Sequence, residues 1–577
     1  MKKFLTVIGI ISLVLLLLLA SLGVWAYYKF LYTEPLSQSE MADISVDWDI
    51  VTRGNWSPWY DAGDGAGTLW NPAASYNAWV AGIPEDDKAW PLMVQAYFDH
   101  QDYFDNEVYS EYIGTLPTNP ERWGMLEAYL GSTEADAILG QVMEALSKSR
   151  VGIVWSNETD PYEHAAYLKE YQTDPTDQYA FDPGPLQFDP ELNYPMIDMM
   201  LPWLGKHRQL TNFVRCKAAY ELERGNAEVF VSSMETLLAS TELSKDLPTL
   251  ISQLVENAIE SVAIRTIDWG ISTHRERFNE DQLARIDRAI ASYVNPDYVW
   301  EGEALMFHDT IRRLCDDNGD LSISGVRSFQ NSWGGPMGSP TSLPNNLLGD
   351  SPQRTLYVYN KMLRHASEQD NLDWDGTHEH TDDLFEQERD KLNFISEMFL
   401  DIMLPALDRP AVVVRQLKQE TIGVRLGIAA YRHQLRHGAF PESIQAIDDD
   451  LIDFEPIDVF NADQLRYTLT ENGPLVYSVG ADRVDNGGRQ GWITKTGWDG
   501  VDYRVKNKAE WLTAESAAGL KNDPEAQSDW VLFPMPPDED EPIEPVNQDE
   551  SDDELNEPAA PDEPQPTEQA APEESDG

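Results

Sequence analysis

Apolar and polar positions change their spacing several times along the chain, and each change marks a candidate element. Phe4 to Trp25 is apolar almost without interruption and carries no charge, matching the roughly 20 residues a helix needs to cross a bilayer's hydrocarbon. Residues 33–130 follow no clear period and crowd Trp48, Trp56, Trp59, Trp70, Trp79 and Trp90 among Tyr, Pro, Gly and Asp. That stretch reads as irregular with short helices, such as Ala89 to Phe104, wrapped on the domain C-terminal to it. From 131 onward the spacing turns helical. Leu210, Phe213, Val214 and Ala218 share one face, with Gly225 placed as a C-terminal cap. Val229, Phe230, Met234, Leu237 and Leu238 form a second face. Ile251, Leu254, Val255, Ala258 and Val262 form a third after Pro248, and Asn279 with Gln282 makes a capping box ahead of Leu283, Ile286 and Ile290.

The helical pattern continues through Leu305–Leu314, Leu356–Ala366 and Asp383–Leu404, interrupted by a Gly-, Ser-, Pro- and Asn-rich loop at 318–353. A longer helix is predicted from Ala411 to His437, where Gly438 and Pro441 stop it. After a helical turn at Ser443–Ile447, Leu465–Thr470 and Leu475–Val479 alternate around Glu471-Asn472-Gly473, the signature of a β-hairpin. The expected fold is therefore mainly α. It comprises an N-terminal transmembrane helix (1–32), a Trp-rich segment (33–130), antiparallel helical hairpins (131–410) and a small α+β domain (411–534). A disordered acidic, Pro-rich tail (535–577) completes it.

Composition sharpens this picture. In 577 residues, 42 basic side chains face 100 acidic ones, a formal charge of -58. That excess argues against nucleic acid, whose phosphates require clustered Lys and Arg. The 18 Trp point to real packing, and packing anchors are a commoner use of clustered Trp than a carbohydrate platform. Cys216 and Cys315 allow at most one bridge. Lys2 and Lys3 precede the apolar run while Glu34, Glu40 and Asp43 lie beyond it, which orients the N-terminus inward and the bulk into the periplasm. The run exceeds a signal peptide's apolar core, and bulky Trp25 precedes Ala26, so an anchor in the cytoplasmic membrane is expected rather than a cleaved leader.

The stretches AAYRHQLRHGAFPESIQAI and LRYTLTENGPLVYSVGADRVDNGG resemble the soluble half of type II secretion major pseudopilins. The resemblance implies a helix on a small antiparallel sheet and a calcium-binding loop. The corresponding positions are Ser478, Asp482, Asp485 and Asn486, with Asp499 more distant. The chemistry agrees in part, since calcium takes several oxygen ligands and a glycine-permitted turn gathers them. An exposed acidic turn, in which Asp and Asn cap backbone groups, explains the same letters. Unlike a pseudopilin, the chain carries its apolar segment hundreds of residues upstream, so a pilus subunit is not expected. The whole layout resembles uncharacterised membrane-anchored envelope proteins of planctomycete-type bacteria.

His378-Glu379-His380, with Asp373 and Asp375 nearby, fits no zinc spacing, and a polar loop accounts for it. Neither a phosphate-cradling loop nor a nucleophile elbow occurs. The expectation is a membrane-anchored extracytoplasmic interaction or scaffold protein with a protein partner and a calcium-stiffened C-terminal domain. The rival is an extracytoplasmic polysaccharide hydrolase working through paired carboxylates.

Overall fold

The computed structural model describes residues 36–43, 72–118, 120–154, 196, 201–247, 249–294, 300–314, 351–369, 381–392, 400, 408–480, 483–489, 492–496, 502–506, 529–535 and 541–542. The predicted membrane span, Trp48 to Trp70, Cys315, the 378–380 cluster, Asp482 and Asp499 lie outside them. Among the described residues no helix is long and apolar enough to cross a membrane.

The fold is mainly helical with a small three-stranded antiparallel sheet. Among the described residues, a helical stretch at 38–43 precedes α1 (Pro72–Gly82), α2 (Trp90–Asp99), α3 (Gln101–Phe104), α4 (Glu107–Tyr112), α5 (Pro120–Leu130) and α6 (Thr133–Leu146). The central group is α7 (Pro202–Glu223), α8 (Ala227–Ser240), α9 (Leu250–His274) and α10 (Glu280–Tyr293). Then come α11 (Trp300–Leu314), α12 (Ser351–Gln369), α13 (Thr381–Arg389) and α14 (Asp408–His437). Local chemistry sets several of these ends. Gly225, at φ +90°, closes α7 with a Schellman pair in which its N–H reaches Leu222 O and that of Asn226 reaches Glu221 O, both at 2.9 Å. The capping box at Asn279 and Gln282 opens α10, and Gly438, at φ +80°, ends α14 by donating to Gln434 O at 2.7 Å.

The helices pack on one another. α7 packs on α8 and α9, α8 on α10, and α14 lies against both α9 and α10. The last contact is zipped by charge: Arg425 meets Asp287 at 2.8 Å and Arg432 meets Glu280 at 2.9 Å, one helix running against the other. Strand β1 (Arg466–Thr470) pairs with β2 (Gly473–Ser478) around the two-residue turn Glu471-Asn472. β2 pairs in turn with a late strand, Trp530–Phe533, which is numbered β5 after β3 (Trp492–Thr496) and β4 (Asp502–Lys506). This strand lies directly on α14, because Gly423 and Gly427 offer no side chain there. A Cβ at Gly427 would stand 2.5 Å from the Phe533 ring, and one at Gly423 would stand 2.3 Å from Leu532 Cβ.

The helices and the β1–β2–β5 sheet form one compact unit. A smaller unit, residues 494–505 and 539–577, carries strand pairing in the order β3–β4–β6. Its β6 (Glu541–Pro542) falls in the stretch expected to be a disordered tail; it pairs through its main chain with Tyr503 and Arg504, a link that needs no apolar side chains.

Two further expectations are corrected. The helical stretch Asp383–Leu404 begins as α13 but leaves helix after Arg389 for a turn through 390–392. The face of α9 is turned: Ser252, Gln253, Asn257 and Glu260 are buried, while Ile251 is 54 % exposed and Ala258 is exposed. At the start of this helix, Leu250 N–H donates to Glu303 Oε2 at 3.0 Å, and Thr249 Oγ1 and Ser252 Oγ lie 3.0 Å apart, which holds the first turn with Ser252 inward.

Candidate functional site

The loop after β2 is where the sequence points, and carboxylates govern it. Ser478 is buried at the strand end, and its hydroxyl donates to Asp458 Oδ1 at 2.8 Å. Asp458 also accepts the N–H groups of Phe460 and Val479, at 3.0 and 2.8 Å. The chain then turns through Gly487 and Gly488, at φ +74° and +82°, conformations that a side-chain-bearing residue resists. Inside that turn sits Asp529, fully buried and taking N–H donations from Asn486 (3.0 Å), Gly488 (2.6 Å) and Arg489 (3.3 Å). Asp485, on the rim, accepts the Tyr477 hydroxyl and Gly487 N–H, each at 3.0 Å, and meets Arg466 at 3.3 Å.

Of the five residues read as calcium ligands, the structure places Asp485 and Asn486 in one turn and Ser478 apart from them at the end of β2, bonded to Asp458, while Asp482 and Asp499 fall outside the described residues. Two acids the spacing did not single out organise this region: Asp458 holds the strand end and Asp529 the turn. Their one sequence signal is an Asp set beside apolar residues, in Ile-Asp-Val-Phe and Asp-Trp-Val-Leu-Phe. Burial pushes both carboxyls above the ordinary aspartate range, against the pull of their N–H donors.

The same device recurs across the helical body. Asp246 accepts Val151 N–H at 2.7 Å and Arg150 at 2.9 Å; Asp309 accepts Met196 N–H at 2.9 Å; Asp268 accepts Met535 N–H at 3.0 Å. Together with Glu303 on Leu250, these buried acids fasten main-chain segments far apart in sequence. A buried N–H without an acceptor costs roughly 1–3 kcal/mol, so each bond holds a connection in place. Acid is here a building material.

One pair departs from this use. Glu256 and Glu260 lie one turn apart on α9, Glu260 is 0 % exposed, and neither of its carboxyl oxygens meets a hydrogen-bond partner among the described residues. Burial pushes Glu260 up to about 9, with the negative charge of Glu256 adding to the rise. Burial likewise raises Glu256 to about 7, partly opposed by Lys245. Two carboxyls so placed can hold protons near neutrality.

The clustered tryptophans serve packing where they are described: Trp90 is wholly buried, and Trp79 packs against the core beneath the Arg150 guanidinium, 5.6 Å from its ring. Compared with known protein families, curated proteins and solved structures, the chain matches none.

Proposed function

We propose that this chain is an interaction or scaffold protein, held in the cytoplasmic membrane by Phe4–Trp25 with its N-terminus inside and its bulk in the periplasm. The observation that carries the reading is the turned face of α9. An apolar stripe of Ile251, Val255, Ala258 and Val262 lies toward solvent or half-covered, while Ser252, Gln253, Asn257 and Glu260 in the same half of the helix are buried. On a body with so large an acidic excess, uncharged apolar surface is where a protein partner gains most by excluding water. A photo-crosslinking residue at Ala258, activated in intact cells, is expected to yield a protein adduct that Ile251→Asp abolishes. Capture of lipid alone would remove the reading. Protease added to spheroplasts should cut the chain; its survival would refute the periplasmic placement.

Calcium belongs, on the likeness to pseudopilins, with Ser478, Asp482, Asp485, Asn486 and Asp499. Arg466, the Tyr477 hydroxyl and the Gly487 N–H already engage Asp485, so the ion competes with them and binds weakly. Millimolar calcium should raise the melting temperature of the solubilised chain, and an unmoved transition would refute the assignment. The Glu256 and Glu260 pair supports the second reading, a polysaccharide hydrolase, because a protonated carboxyl beside an ionised one is a general acid's requirement. The complete burial of Glu260 ranks this second, since a sugar chain would have to part packed helices to reach it. Release of reducing ends from envelope glycan, lost in Glu260→Gln, would reverse the order.

A further inference from the structure

The last turn of α14 presents His433 and His437 on one side of the helix, four residues apart, with ring centroids 4.3 Å from each other. Directly after them Gly438 turns the chain back. Buried Ile444, Ile447 and Leu451 pin the returning segment, and this delivers Asp448 to the end of the helix. The Asp448 carboxylate stands 3.0 Å from His437 Nε2 and 3.5 Å from His433 Nδ1. One ligand atom from each of the three residues lies within 4.8 Å of the others.

From this arrangement we propose a binding site for a divalent first-row transition metal ion, zinc being the type case, made by His433, His437 and Asp448. A tetrahedral ion with bonds of about 2.0–2.2 Å keeps its ligand atoms about 3.3–3.6 Å apart, close to the two distances from Asp448 to the imidazoles. Two imidazoles with one carboxylate suit a borderline ion and not a hard one such as calcium. His433 Nδ1 is buried and makes no well-formed hydrogen bond, so a metal would satisfy it without displacing anything. The helix C-terminus adds partial negative charge. Against the ion stands Arg436, 3.3 Å from Asp448. That guanidinium also binds Glu280 and Asp450, each at 2.9 Å, and keeps both when Asp448 turns to a metal. His437 is 51 % exposed, so the fourth position opens to solvent and takes water.

The test uses the full chain in detergent, stripped with chelator and titrated with zinc, then with cobalt as a spectroscopic substitute. One ion per chain and the visible absorption of four-coordinate cobalt are expected, unaffected by excess calcium. His437→Ala, an exposed position whose melting temperature without metal should match the parent, is expected to weaken zinc at least ten-fold. Asp448→Asn should weaken it too. Absence of zinc binding, or equal binding in the His433→Ala/His437→Ala double variant, overturns the site. The outcome is independent of the crosslinking result at α9 and of calcium at the 485 loop, because those rest on other segments.

Discussion

At the level of single residues, the chain's most informative habit is the burial of acids against backbone N–H groups. Asp529 alone holds three of them in the loop after β2. Asp529→Ala would leave those donors in a space sealed from water, and the expected loss is about 2–3 kcal/mol, read from denaturant unfolding. Asp529→Asn keeps one acceptor oxygen and should lose less; equal losses would mean that packing of the side chain, and not its oxygens, matters. None of these acids could be singled out by spacing, because each acts on a segment 21 to 267 positions away. A local pattern carries no trace of such a partner. What was legible nearby is the Gly487-Gly488 turn itself, which announces itself within a few letters.

At the level of elements, close approach decides stability. Because β5 rests on the bare backbone of α14, Gly427→Ala forces a methyl group into the Phe533 ring. Overpacking of this kind costs about 1–3 kcal/mol, against a slight gain in helix propensity, so a net drop in melting temperature is expected. An unchanged transition would show that β5 can move outward freely. Helix ends and the hairpin were readable for the same reason as the glycine turn: Asn279 with Gln282, Gly225, Gly438 and the Asn472-Gly473 pair all act on neighbours in sequence. The orientation of α9 was not, since periodicity assumes that the apolar face turns inward. There the carboxylate of Glu303, accepting Leu250 N–H, and the paired hydroxyls of Thr249 and Ser252 fix the first turn with Ser252 inward. The direct approach of β5 to α14 was equally hidden, for it joins residues more than a hundred positions apart.

For the molecule as a whole, buried ionisable groups shape the response to pH. Glu260, Glu256 and Asp246 titrate in the folded chain at about 9, 7 and 6, above their unfolded values. The folded state therefore holds protons that the unfolded chain has released, and stability declines as pH rises through that interval. Buried His207 and His308, pushed by desolvation down to about 3 and 4, work the other way: they are held neutral, and stability is lost as pH drops below the ordinary histidine value. The two effects oppose each other below about 6.5, while from there to about pH 8 the carboxyls act alone. Between pH 7 and 9 the unfolding free energy should fall by about 2–3 kcal/mol, most of it through Glu260. Thermal melts across that range check this, and Glu260→Gln should flatten the curve; an equal decline in the variant would assign the effect elsewhere.

The placement of Trp530–Phe533 also bears on the order in which the protein can be made. This strand fills the glycine groove of α14 and completes the pairing of β2, while the main chain just beyond it is tied to α9 through Asp268. A nascent chain must therefore synthesise more than five hundred residues before its core can close. Until then the groove on α14 and one side of β2 stay uncovered, so the growing chain remains an unfinished intermediate and settles only when its last strand arrives.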